Sequence, residues 1–300
     1  MVAGLDAALA WLKLNKLLLG EAIARFVEAL TTGAPELFSA ISEVLGQAIL
    51  GLTAALFWFH PLVLLALIAG LAWYLQRAIG LVVFVVLSLL LVINLGYWDE
   101  TLETLALVLC ATLACVLLGV PLGIAAAHRP WLAAGLRPLL DLMQTIPTFV
   151  YLIPTLILFG LGVVPGLIST VIFALPAPIR LTTLGIASVP RPLLEAGEAF
   201  GATRWQLLWK VELPSAMPNI MAGITQCIML SLSMVVIAAL VGADGLGKPV
   251  VRALNSVNIA DGFEAGLAIV IVAIVLDRLC KQRVRTPRRA PAKPGGQSDG

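Results

Sequence analysis

Charge is what this sequence has least of. Asp, Glu, Lys and Arg make up 12% of its 300 residues and hydrophobic residues 60%, against roughly 25% and 45–50% in soluble globular chains. Such a chain cannot clothe a soluble core in polar surface. Histidine is nearly missing, with His60 and His128 alone, and the four cysteines (Cys110, Cys115, Cys227, Cys280) lie within or at the edge of apolar runs without any C-x-x-C pair. A metal site and a disulfide framework are therefore excluded, and the cysteines read as small core residues. Also missing are the alternating strands of about ten residues that mark a membrane barrel. No nucleophile, general base or metal constellation suggests an enzyme, and neither a cofactor nor a nucleic-acid partner is expected.

What is present is hydrocarbon. Mean hydropathy is +1.03, and several uncharged runs reach the roughly 20 residues that a bilayer-crossing helix needs. The fold class is therefore all-α, a polytopic helical bundle of a plasma (inner) membrane. From Val44 to Gln76 there is no Asp, Glu, Lys or Arg, but His60-Pro61 interrupts the run. It reads as one crossing at about 58–76 after an interfacial helix, in preference to two crossings of about 16 residues, which fall below the spanning length. Further runs at about 78–97, 102–127, 139–162, 166–188, 217–241 and 263–280 bring the expected total to about seven transmembrane helices.

Both ends of the chain differ from this middle. In the arm, residues 1–57, Leu5, Leu9, Leu12, Leu19, Ile23, Phe26 and Leu30 recur at steps of three, four or seven, with charges between them. That period describes an amphipathic helix, interrupted near Gly33 and Pro35, that lies on membrane lipid or packs on its own bundle. Because Asp6 precedes any apolar run, a signal peptide is not expected. Residues 58–280 form the transmembrane domain. The tail, residues 281–300, is basic and rich in Pro and Gly, as expected of a disordered segment that can touch anionic headgroups.

Placing the C-terminus inside puts 14 of the 19 basic residues on the cytoplasmic side, as the positive-inside bias requires. On that topology the stretch GADGLGKP, Gly242 to Pro249, faces outward. It is one residue short of a phosphate-binding loop, but Pro249 replaces the hydroxyl that would hold magnesium and lacks a backbone donor. It reads as a glycine turn capping a membrane helix.

The largest inward loop, residues 189–214, reads VPRPLLEAGEAFGATRWQLLWKVELP. Pro190 and Pro192 can open a helix, Gly201 punctuates it, and a second short helix from Ala202 to Lys210 is expected to end near Pro214. Two short helices joined at a glycine make a knob too polar for the bilayer.

The knob resembles the signature of ABC importer permeases, E-A-A, three residues, G, nine residues, I-x-L-P. Here it is carried by Glu195, Ala196, Gly197, Gly201, Val211, Leu213 and Pro214, with Gly197 and Val211 as small departures. PLLDLMQTIPTFVYLIP (138–154), FALPAPIRLTTLGI (173–186), residues 217–247 and AIVLDRL (273–279) extend the resemblance to the permease subunits of glycine betaine/proline importers, over about residues 60 to 280. The resemblance implies a type I ABC importer permease fold, a homodimeric pore and a separate cytoplasmic ABC ATPase that docks on the knob. It also implies a periplasmic or lipid-anchored substrate-binding protein, and transport of a compatible solute such as glycine betaine or proline.

The alternative is a stand-alone channel or ion-coupled secondary transporter for a small neutral solute. It finds little support, because Asp141, Arg180 and Asp277 all fall at expected span ends and no central charge offers an ion relay. Gln144, Thr145, Thr148, Tyr151, Gln226, Ser231 and Ser233 are the candidates for lining a pathway, although helix–helix hydrogen bonding also accounts for such residues. No aromatic cage for a quaternary ammonium stands out near Phe149 and Tyr151.

Overall fold

The computed structural model describes residues 19–281, and nearly all of them are helical. The basic tail and the first part of the amphipathic arm lie outside the described residues. Helix α1 is Leu19–Gly33, and α2, Pro35–Phe57, follows after a single non-helical residue. Contrary to a purely interfacial reading, α2 is long and apolar enough to cross a membrane. It packs on the bundle through Ile49, against Ala111 and Leu167, and through an edge-to-face contact of Phe38 with Phe159. His60 caps α3, Pro61–Gln76, which pairs with α4, Ile79–Asn94. Both are apolar but have only 16 residues, or about 24 Å of helix.

Three helices come next. They are α5, Trp98–His128, then α6, Pro130–Thr145, and α7, Thr148–Phe159. The expected crossing at 139–162 is not one straight helix: α6 and α7 meet at a bend of 96°. Pro147 supplies the reason. A residue before proline is pushed out of the helical region, and Ile146 is extended at φ −65°, ψ 131°. The Tyr151 hydroxyl reaches back across the bend to donate to the carbonyl of Met143.

Helices α8, Val163–Ala174, and α9, Pro176–Ala187, form one apolar stretch, followed by the knob and by α12, Leu213–Ala239. Helix α13, Gly247–Asn255, then leads to α14, Ile259–Cys280, whose N-terminus Asn258 caps through its side chain.

Two kinds of packing hold the bundle. Large apolar side chains from α3, α4, α5, α12 and α14 (Leu65, Val85, Val92, Leu107, Val108, Leu232, Val235 and Val272 among them) make the main core. Helix α9, by contrast, is wedged between α5 and α12 at glycines. A Cβ on Gly123 would stand 2.6 Å from Thr182, and one on Gly223 3.1 Å from Pro178. Gly119, four residues before Gly123, makes the same close approach, since a Cβ there would stand 2.9 Å from Pro178. Of the similar pair Gly162 and Gly166, only Gly166 packs, against Ala238, while Gly162 lies in a turn at φ +136°.

Candidate functional site

The knob consists of α10, Arg191–Ala199, the single turn α11, Arg204–Leu207, and a π turn, Leu208–Glu212. Pro190 and Pro192 start α10 where a missing amide donor costs nothing. Its end is set by Gly201 at φ +75°, a left-handed conformation that other L-residues enter at a cost of about 1–2 kcal/mol. The Ala202 amide donates to the Gly197 carbonyl at 3.1 Å, closing a Schellman-type end. Thr203 then caps α11. Its hydroxyl accepts from the Gln206 amide at 3.3 Å, while the Gln206 side chain accepts from the Thr203 amide at 2.9 Å.

Gly197 is where the two arms of the knob touch: a Cβ there would lie 2.6 Å from Leu207 Cδ1 and 3.7 Å from Val211. Glu195, Ala196 and Glu198 remain exposed on the far side. So do the knob's largest apolar groups, with Phe200 92% exposed and Trp205 66%, and with Trp209 stacked edge-to-face on Trp205 at 5.6 Å. They form a bare aromatic patch on an otherwise polar loop.

Pro214 does not end the second helix as expected. Arg204–Ala239 is one continuous helical run, with Leu213 and Pro214 in the first turn of α12. The π turn makes this possible. The Leu213 amide bonds back to the Leu208 carbonyl, and such a wide turn accommodates the ring and the missing donor that would break an α-helix. Val211, half-buried, sits in the same turn.

Glu212, also in the π turn, is buried at 8% exposure, and its Oε2 lies 2.9 Å from Nε2 of His128, the last residue of α5. The other ring nitrogen of His128 is 2.9 Å from the Ile124 carbonyl oxygen. The Nε2 contact is a close approach of the ring to the carboxylate, and no donor is aligned for a hydrogen bond to Glu212 Oε2. The knob is thereby tied to α5 as well as continued into α12. Sequence reasoning missed this joint: Glu212 occupies the free position of its motif, and nothing in the spacing points to His128.

GADGLGKP sits at the opposite end of α5. The Leu246 amide donates to Thr104 Oγ1 at 2.8 Å, Gly245 is at φ +116°, and Lys248 is ion-paired with Asp244. It is a glycine turn packed on a membrane helix, as read from the sequence.

The expected pathway residues scatter. Gln144 and Thr145 are exposed near the end of α6, and Thr148 is half-buried at the start of α7. Tyr151 braces the bend, while Gln226 is exposed on α12. Ser231 is fully buried, its hydroxyl donating to the Cys227 carbonyl at 2.9 Å, and Ser233 donates to Met229 at 3.0 Å. Asp141 and Arg180, expected at span ends, meet across two helices. They lie within α6 and α9 and form an ion pair of 2.6 Å.

Comparison with known proteins bears on this geometry. Residues 119–279 match the family of binding-protein-dependent transport system inner membrane components. The chain is 45% identical to the glycine betaine transport system permease protein OpuAB of Bacillus subtilis (strain 168), over 93% of this chain and 98% of that one. It is 49% identical to the glycine betaine/proline betaine transport system permease protein ProW of Escherichia coli (strain K12), over 73% of this chain and 62% of that one. Among solved structures, the inward-facing MetNI methionine ABC transporter superposes with a TM-score of 0.53 at 22% identity, covering 60% of this chain and 91% of that chain. At that identity the likeness speaks for the fold.

Proposed function

This chain belongs to the family of binding-protein-dependent transport system inner membrane components, and from that premise we propose how it works and what it carries. It is the transmembrane permease subunit of an ATP-driven importer, a multi-pass inner-membrane protein. Its solute is a compatible solute of the glycine betaine class, as the names of its relatives suggest. ATP is hydrolysed on a separate cytoplasmic subunit and solute is delivered by a substrate-binding protein on the other face, with two copies of this chain forming the pore. The basic bias along the sequence puts the knob and the C-terminus in the cytoplasm. Residues 1–57 serve as an accessory arm to the permease domain, 58–280.

One observation carries the coupling mechanism. The knob, bare on one side at Phe200, Trp205 and Trp209, runs on its other side as an unbroken helix into the core at Val235. A partner that moves the knob therefore moves α12, and α12 bears on α9 through Gly223. Two packings of such a wedge are the two states a pump must alternate between, and the ATPase biases them by binding one better than the other.

The test is to purify the tagged chain with the ATPase encoded beside it and to compare wild type, Glu195→Ala and Gly201→Leu. ATPase should co-purify with the wild type and be weakened or uncoupled in the variants. If a well-folded wild type binds no ATPase, the coupling reading fails.

A further inference from the structure

The ion pair of Asp141 and Arg180 opens onto a cavity of about 420 Å³ between α6 and α9, lined also by Arg137, Leu140, Thr183 and Leu184. The pair is not sealed, since the side chains are 67% and 43% exposed. Arg180 belongs to the 25-residue apolar stretch Val163–Ala187. It lies roughly 10 Å along the axis from the knob-side end, at 1.5 Å per residue. A stretch of about 37 Å overshoots a hydrocarbon core of about 30 Å by only a few ångströms at each end. By that length Arg180 would sit just inside the knob-side boundary of the hydrocarbon, where charged side chains face a water-filled cavity or protein and not lipid tails.

We infer that this cavity is a solute subsite of the transport pathway, in which a small zwitterion separates the pair, its carboxylate taken by Arg180 and its quaternary ammonium facing Asp141. The inference rests on the compatible-solute reading above and deepens it. An ion pair is the charge complement of a zwitterion. When the solute enters, each protein charge exchanges one partner for another of the same sign, so neither is left unpaired, which is the costly outcome. The same arithmetic makes the site weak, because the solute must displace an existing contact at 2.6 Å. Weakness is what a pathway requires, since a solute held tightly would not leave. No aromatic ring lines the cavity, so it lacks the cage that would hold a quaternary ammonium firmly.

Leu184, exposed on the cavity wall, allows a direct test. The complex of this chain with its ATPase and binding protein is placed in lipid nanodiscs, with Leu184→Cys as a reporter. Modification by the anionic thiol reagent sulfonatoethyl methanethiosulfonate is timed with and without glycine betaine, and the unsubstituted chain gives the background from its own cysteines. The reporter should react above background, and saturating betaine should slow it by at least about three-fold, as simple site occupancy predicts. That protection should vanish when Arg180→Gln or Asp141→Asn is added. Two variants keep the test standing if one of them misfolds, which monodispersity in detergent reveals.

A reporter silent above background would mean that a second copy or lipid covers the cavity, and would overturn the inference. So would a reactive reporter that betaine does not protect, or protection that survives both charge removals. Betaine uptake by the unsubstituted complex in liposomes is measured in parallel. Its absence would sink the solute reading itself, whereas its presence with an unprotected reporter would sink this subsite alone.

Discussion

At Gly123 an added Cβ would stand 2.6 Å from Thr182 and 2.8 Å from the Ile179 carbonyl; at Gly201 it would meet nothing within 4 Å. The same residue type serves opposite ends in the two regions. In the wedge around α9, glycine is needed for the space it leaves. In the knob, glycine is needed for the backbone conformation it permits, at φ +75°. The wedge is built from contacts inside the chain, and its failure should be a failure of folding. The knob turns its largest apolar side chains outward, and its failure should be a failure of coupling.

Gly123→Val should break the comparison most sharply on the wedge side. Overpacking a filled core costs typically about 1–3 kcal/mol or more, and here one of the obstructing atoms is backbone. Little monodisperse protein should survive size-exclusion chromatography. Gly201→Val, strained by about 1–2 kcal/mol but free of clash, should keep its monodisperse peak while losing solute uptake. Equal loss of folded protein from both variants would erase the distinction.

The joint between the two regions comes next. His128→Ala should leave the buried Glu212 carboxylate without its ion-pair partner, at a cost on the order of 1–3 kcal/mol, visible as a lower Tm in detergent. Glu212→Gln, which removes the buried charge, should cost less. The reverse order would argue against the pairing seen between α5 and the π turn.

On the knob surface, Trp205→Ala should change Tm by less than about 1 kcal/mol equivalent, since more than half of the side chain is already in water. If the tryptophan anchors a partner, the affinity for the ATPase should still fall by about ten-fold or more, as for a central aromatic of an interface. Unchanged affinity would move the docking surface elsewhere on the knob. The smallest effect is expected from Thr203→Ala, which removes one half of the capping box and should cost about 1 kcal/mol. Circular dichroism and a thermal scan would register it, with uptake only modestly reduced.

Much of this architecture was legible in the residues. The spacing from Glu195 to Pro214 is local, and local spacing survives folding, so the knob lies where the motif puts it. The glycine turn at Gly242–Pro249 was equally readable, because proline after the lysine removes a donor whatever the surroundings. Two departures concern proline. Pro147 broke an apolar run that composition alone made continuous, through the extended conformation forced on Ile146. Pro214 failed to break a helix, because the π turn before it absorbed the missing hydrogen bond.

By itself the sequence determined that the chain lives in a membrane, where most of its long apolar helices fall, and that one polar loop carries two short helices joined at a glycine. Those follow from hydrocarbon content and periodicity, properties of neighbours along the chain. Only the tertiary structure decided which charges meet. Asp141 finds Arg180 across 39 positions, and Glu212 finds His128 across a larger gap. Such pairs depend on how α9 is wedged between α5 and α12, and a helix packing set by glycines leaves no periodic trace that would tell one side chain its partner.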